Sequence, residues 1–132
     1  MQIKRSAFSL LEMMVVIAII GFLAGALVVN LSATADEAAV STTQNTIERV
    51  EQAVTMFKLS KKKYPTTEEG LDALVEDKKL KSYPQDAWGN DLGYERTTGS
   101  EKPFRIYSLG ADGLDGGDGV EADLDNMPKD EL

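Results

Sequence analysis

From Phe8 to Val29 the chain reads FSLLEMMVVIAIIGFLAGALVV, 22 residues with a single charge, Glu12. No other stretch limits the fold as much. At about 1.5 Å per helical residue the run spans the roughly 30 Å hydrocarbon core of a bilayer. Lys4 and Arg5 stand directly before it, which predicts a cytoplasmic N-terminus and translocation of everything after Val29. An ordinary cleaved signal has a shorter apolar region followed by a small-residue site. Here the run is longer and no clean site follows, Leu31-Ser32-Ala33 being the nearest approach. A retained anchor is expected. Glu12 costs such a helix on the order of a few kcal/mol unless it finds a partner. Two readings stay open on the residues alone: it lies near the interface and reaches water, or it neutralises a cation on a neighbouring chain.

Helical patterning continues past the apolar run. Leu31 to Thr46 is rich in Ala, Ser and Thr, with weak periodicity. From Val40 a stripe emerges at Val40, Ile47, Val50, Val54 and Phe57, with Glu48, Arg49, Glu51 and Gln52 on other faces. No Pro interrupts Phe8 to Leu59. One helix over that length would measure roughly 78 Å; the alternative is two helices broken near Asn30 to Asp36. Lys61-Lys62-Lys63 reads as a solvated helix end that complements the dipole, and Tyr64-Pro65 stops the helix.

The remainder reads as a small head. Thr66-Thr67-Glu68-Glu69 has the spacing of a capping box, with Thr66 as cap and Glu69 reaching back. Leu71, Leu74 and Val75 give a short second helix its buried face. Ala87-Trp88-Gly89-Asn90-Asp91 reads as a loop, and Leu92–Glu95 and Phe104–Leu109 are the two strand candidates, joined across Thr97-Thr98-Gly99-Ser100. The expected class is α+β: a long helix, a short helix and a minimal antiparallel sheet.

Composition narrows the chemistry. The 132 residues leave room for one domain, with 14 Lys and Arg against 22 Asp and Glu and a formal net charge of −8. Nucleic acid is excluded as a partner, because phosphate binding needs a basic face. There is neither Cys nor His, which removes disulfides, zinc–thiolate sites, cysteine nucleophiles and the commonest general base. Leu109 to Leu132 carries eight acids and one base, so −7 of the −8 lies in that tail. Within it Asp112, Asp115, Asp118, Glu121 and Asp123 alternate with glycines. Such density repels itself unless a cation neutralises it. With only oxygen ligands to offer, the tail points to calcium rather than zinc. The EF-hand pattern is not met, since Leu114 occupies the position of its second acid. On chemistry alone, a calcium loop and a merely solubilising tail both remain open.

Ala7-Phe8-Ser9-Leu10-Leu11-Glu12 and the apolar run behind it resemble the class III signal of type IV pilins and type II secretion pseudopilins. The resemblance implies cleavage between Ala7 and Phe8, N-methylation of Phe8 by a prepilin peptidase–methyltransferase, and a role for Glu12 as the assembly carboxylate. Ala7 stands where the family usually has Gly, and Val29 where it often has Pro. Three later blocks are similar to the major pseudopilins of type II secretion: Tyr64-Pro65-Thr66-Thr67 through Val75, Pro84-Gln85-Asp86-Ala87-Trp88-Gly89-Asn90, with Ala87 in place of a Pro, and Ser108-Leu109-Gly110-Ala111-Asp112-Gly113. That family carries calcium in the acidic loop. By motif the implied ligands are the Asp112 and Asp123 side chains with the Leu109 and Leu114 carbonyls; Asp115, Asp118 and Asp125 are further candidates.

The organisation expected from this resemblance is type IV pilin-like. A leader covers residues 1–7, a transmembrane assembly helix 8–29, its stalk 30–60, and a periplasmic head 61–132 with the calcium loop at 109–125. The expected function is a non-enzymatic subunit that polymerises into the periplasmic pseudopilus, anchored once in the inner membrane, which helps drive folded proteins across the outer membrane. Its implied partners are further copies of itself, minor pseudopilins, the inner-membrane assembly platform and the prepilin peptidase. A surface type IV pilin, a membrane-anchored calcium-binding module and an anchored enzyme using Asp112 and Asp123 as an acid–base pair are the rival readings.

Overall fold

The computed structural model describes residues 8–127, so the expected leader, including Ala7, lies outside the described residues. Helix α1 is assigned without interruption from Leu10 to Lys61, and no break occurs at Asn30 to Asp36. The chain divides into two compact units, one ending at Ala35 and one beginning at Asp36. In the first, Leu10–Leu27 is long and apolar enough to cross a membrane, and its side chains are exposed.

In the second unit the latter part of α1 supplies much of the core. Ile47, Val50, Val54 and Phe57 of the expected stripe are buried, Val40 is half-buried, and Ala53 joins them. They pack with Leu71, Leu74, Leu92, Tyr94, Phe104 and Ile106. Each large aliphatic removed from water in this way contributes about 1.5–3 kcal/mol. Tyr94 sits so deep that burial pushes its hydroxyl up to about 12; that hydroxyl donates to the Pro65 carbonyl at 2.9 Å. Helix α1 ends at Lys61, and Lys62 takes left-handed backbone (φ 64°). Lys58 and Lys61 lie in the last turn, where cations complement the dipole. Lys61 also pairs with Asp77 at 3.0 Å, which holds the Asp77 carboxyl below its usual range.

The capping box forms, with a different consequence from the expected one. The Thr66 amide donates to Glu69 Oε2 at 2.8 Å and the Glu69 amide to Thr66 Oγ1 at 3.1 Å. The turn it closes ends in left-handed backbone at Gly70 (φ 55°), so helix α2 begins only at Asp72 and runs to Glu76. Leu71 and Leu74 are fully buried; Val75 is half-buried.

The first strand is shifted from expectation by one residue, and the second starts at Phe104 as expected and ends one residue early. β1 is Gly93–Arg96, because the Leu92 amide bonds instead to the Pro84 carbonyl at 3.1 Å. β2 is Phe104–Ser108, ending where Gly110 turns the chain. The two pair antiparallel from Gly93 opposite Tyr107 to Arg96 opposite Phe104. A third strand that periodicity does not reveal, β3 (Leu124–Asp125), pairs antiparallel with β2 and follows a 3₁₀ turn at Gly119–Glu121. Asn126 fixes its register: Ile106 N–H donates to Asn126 Oδ1 at 2.8 Å, and Asn126 N–H to the Ile106 carbonyl at 3.2 Å.

Candidate functional site

The N-terminal candidates sit where a helix begins. The Glu12 amide donates to Ser9 Oγ at 3.1 Å and the Met13 amide to the Ser9 carbonyl at 3.2 Å, so Ser9 caps α1. Phe8, exposed, precedes that cap, and Glu12 lies exposed in the first helical turn. The positive end of the helix dipole favours an anion there. The Ser9-Leu10-Leu11-Glu12 spacing matches the box at Thr66–Glu69. That signal was in the sequence; the apolar setting hid it.

The acidic loop is built around two glycines. A Cβ on Gly110 or on Gly117 would lie 2.5 Å from the Glu121 carbonyl oxygen, and both residues have positive φ, 69° and 90°. Only glycine allows that approach. Ala111 N–H then donates to the Val120 carbonyl at 2.8 Å, closing the loop at its base. Inside it, Asp112 Oδ1 accepts from the Leu114 amide at 3.0 Å and Asp123 Oδ1 from the Gly116 amide at 3.2 Å. The two carboxylates thus hold successive parts of one loop. No hydrogen bond among the described residues uses their second oxygens, and the Leu109 and Leu114 carbonyls accept none either. Among the described residues no three acidic side chains stand together, so an ion held here would draw part of its shell from carbonyls. The donor set is entirely oxygen, the chemistry of a hard divalent cation.

The other candidates diverge. Asp115 and Asp118 are exposed, and their side chains make no hydrogen bond among the described residues. Asp125 is engaged in the sheet: its Oδ2 accepts from Arg105 Nε at 3.0 Å and its Oδ1 from the Met127 amide at 3.0 Å. Arg105 also reaches Glu95 at 3.5 Å, tying all three strands together.

Sequence reasoning missed the group that anchors the loop. Asp86 is buried, accepting from the Trp88 and Asn90 amides at 3.0 and 2.9 Å through Oδ1 and from Ser108 Oγ at 2.7 Å through Oδ2. Ser108 Oγ in turn accepts from the Gly110 amide at 3.2 Å, and Asn90 Nδ2 donates to the Gly110 carbonyl at 3.1 Å. The blocks at 84–90 and 108–113 are therefore one polar cluster that positions Gly110 at the start of the loop. Ala87 adds a tie to α1, its amide donating to the fully buried Thr43 Oγ1 at 3.1 Å. A proline at 87 has no such donor.

Comparison with known proteins gives a consistent set of likenesses. Residues 30–127 match the family described as type II secretion system (T2SS), protein G, and residues 3–28 match the prokaryotic N-terminal methylation motif. The chain is 38% identical over 136 residues to the type II secretion system core protein G of Pseudomonas aeruginosa, covering 93% of this chain and 95% of that protein. It is also 38% identical to the core protein G of Vibrio cholerae, over 93% of this chain and 92% of that one. The crystal structure of the major pseudopilin from the type 2 secretion system of enterohaemorrhagic Escherichia coli superposes with a TM-score of 0.62 at 29% identity, covering 74% of this chain and 93% of that one.

Proposed function

The chain belongs to the protein G family of the type II secretion system, structural subunits of its pseudopilus, and from that premise we propose how its own residues serve assembly. The supporting observation is the order of the two matches, a methylation motif over residues 3–28 and the protein G region over 30–127, on a chain whose exposed apolar helix starts at Leu10. In this reading Leu10–Leu27 crosses the inner membrane with Lys4 and Arg5 on the cytoplasmic side, and the head lies in the periplasm. Prepilin peptidase cuts between Ala7 and Phe8 and methylates the new amino group. Ser9 already caps the helix behind that bond, so cleavage leaves the first turn intact. Glu12 then pairs with the terminal ammonium of a neighbouring copy during polymerisation. Minor pseudopilins and the inner-membrane platform are its other partners. Intact mass spectrometry of membrane-extracted protein tests the processing step: the expected species lacks Met1–Ala7 and carries one methyl group. A mature chain beginning at Met1, or cut near Ala33, refutes it.

The acidic loop fits a calcium ion. Asp112 and Asp123 would hold it, with the Leu109 and Leu114 carbonyls, both of which lack hydrogen bonds among the described residues. Bound there, the ion would offset two of the tail's seven net negative charges and cross-link the loop. A site at 100-fold ligand excess over its Kd stabilises by about 2.7 kcal/mol, worth on the order of 10 °C in a head this small. Trp88 is the sole tryptophan and lies in the loop clamped by Asp86, so its fluorescence reports melting of the head. Chelation is expected to lower the melting temperature and calcium to restore it, where equimolar magnesium does not. Asp112→Ala and Asp123→Ala should each abolish the response, and Asp130→Ala should leave it intact. Equal melting with calcium and with chelator would reduce the loop to a solvated surface.

A further inference from the structure

Among the described residues of the unit that begins at Asp36, three large apolar side chains stay exposed: Met56, Leu59 and Leu114, at 58%, 68% and 66%. Two of them share a face. Arg49, Gln52, Met56 and Leu59 recur at helical intervals along the outside of α1. Arg49 to Met56 forms one wall of an open groove of about 660 Å³, whose other wall is the segment from Lys79 to Gln85. Its floor is apolar, at Val50, Ala53 and Met56. Its rim carries Arg49, Lys79 and Lys81, and no carboxylate lines it. Lys79 is engaged by Asp77 at 3.6 Å. Arg49 and Lys81 make no ion pair among the described residues.

Leu114 has the opposite setting. It is the exposed apolar residue of a loop in which Asp115 and Asp118, outside the pair assigned to the ion, are exposed anions. An apolar knob beside carboxylates is the chemical complement of an apolar groove whose rim holds Arg49 and Lys81 without an ion pair among the described residues. Both surfaces are open within one chain, so they do not fill each other there.

We infer that the acidic loop of one copy docks, Leu114 foremost, into the Arg49–Lys81 groove of a second copy. This rests on the reading of the chain as a polymerising subunit and adds the pair of head surfaces that meet. Because the two patches differ, each copy offers one loop and one groove, and the contact propagates along an open assembly instead of pairing two copies off. Complementary charge of this kind fixes register and partner choice more than raw affinity. It therefore acts as the head's alignment device beside whatever the membrane helices bury.

The chain has no cysteine, so introduced thiols pair only with one another. Full-length Met56→Cys and Leu114→Cys chains, co-expressed with the secretion machinery and mildly oxidised in the membrane, are expected to form a mixed dimer. A chain carrying both changes should give a ladder of multimers. Thr98→Cys, exposed in the hairpin loop, serves as the control partner for Leu114→Cys and should not cross-link. Arg49→Glu with Lys81→Glu should reduce the mixed dimer about tenfold or more, since like charges then face each other. Filaments that form while the 56–114 product stays at the control level would overturn this contact and leave the pseudopilin reading standing. A native chain that forms no filaments would overturn both.

Discussion

Glu12→Ala is expected to enter the membrane at least as well as the native chain and to form no filaments. Insertion should hold or improve because a carboxylate in an apolar helix costs on the order of a few kcal/mol, and alanine removes it. Assembly should fail because a neighbour's terminal ammonium then lacks its counter-charge. Breaking a buried charge pair by deleting one partner costs about 3–5 kcal/mol, and every 1.4 kcal/mol is about tenfold in the equilibrium. A loss of roughly a hundredfold or more per contact ends polymerisation. Glu12 is also the third residue of the first helical turn, with its own amide bonded to Ser9 Oγ. Glu12→Gln separates the two roles: it keeps the helix start and removes the charge. Both variants should fractionate with the membrane, and electron microscopy should find filaments with neither. Filaments from Glu12→Gln would show that the carboxylate's charge is not what assembly uses.

The second large effect lies in the head. Asp86→Ala removes the acceptor of three hydrogen bonds, from the Trp88 amide, the Asn90 amide and Ser108 Oγ, in a buried setting. Hydrogen bonds to a charged group contribute about 1.5–3 kcal/mol each, and leaving their partners unsatisfied adds desolvation penalties. The bonds share one side chain and are not additive. The expected loss is about 3 kcal/mol or more, a large share of the margin of so small a domain. Asp86→Asn should lose less, because its carbonyl oxygen can still accept both amides. Denaturant melts followed by Trp88 fluorescence, with calcium present, measure both. If Asp86→Ala melts like the native head, the cluster is not what positions the loop at Gly110.

Much of the fold was legible because its signals are local. The stripe at Ile47, Val50, Val54 and Phe57 repeats at helical spacing and is the core face of α1. Thr66 and Glu69 bond each other as their spacing dictates, although Gly70 turns left-handed and delays α2 to Asp72. The first strand starts one residue late because Leu92 spends its amide on Pro84, a bond periodicity cannot register. The acidic loop was visible as a cluster of charges. Which backbone amides the carboxylates hold was not, since Asp112 binds the Leu114 amide and Asp123 the Gly116 amide in a loop that closes only where Gly110 and Gly117 let the backbone pass close to Glu121.

The sequence by itself determined the membrane-length apolar run, the helical stripe from Ile47 to Phe57, the acidic, glycine-studded tail and the blocks that identify the family. Each is a composition, a period or a short fixed spacing, and each survives whatever the rest of the chain does. The sequence left open a break near Asn30 to Asp36, which the structure does not show. The tertiary structure alone decided that Asp125 serves Arg105, 20 positions away, that Ser108 and Asp86 meet across 22, and that Ala87 reaches Thr43 across 44. Those partners are selected by where the core brings the backbone. A buried donor must take whatever acceptor the packing leaves beside it, and no local pattern of residues specifies that neighbour.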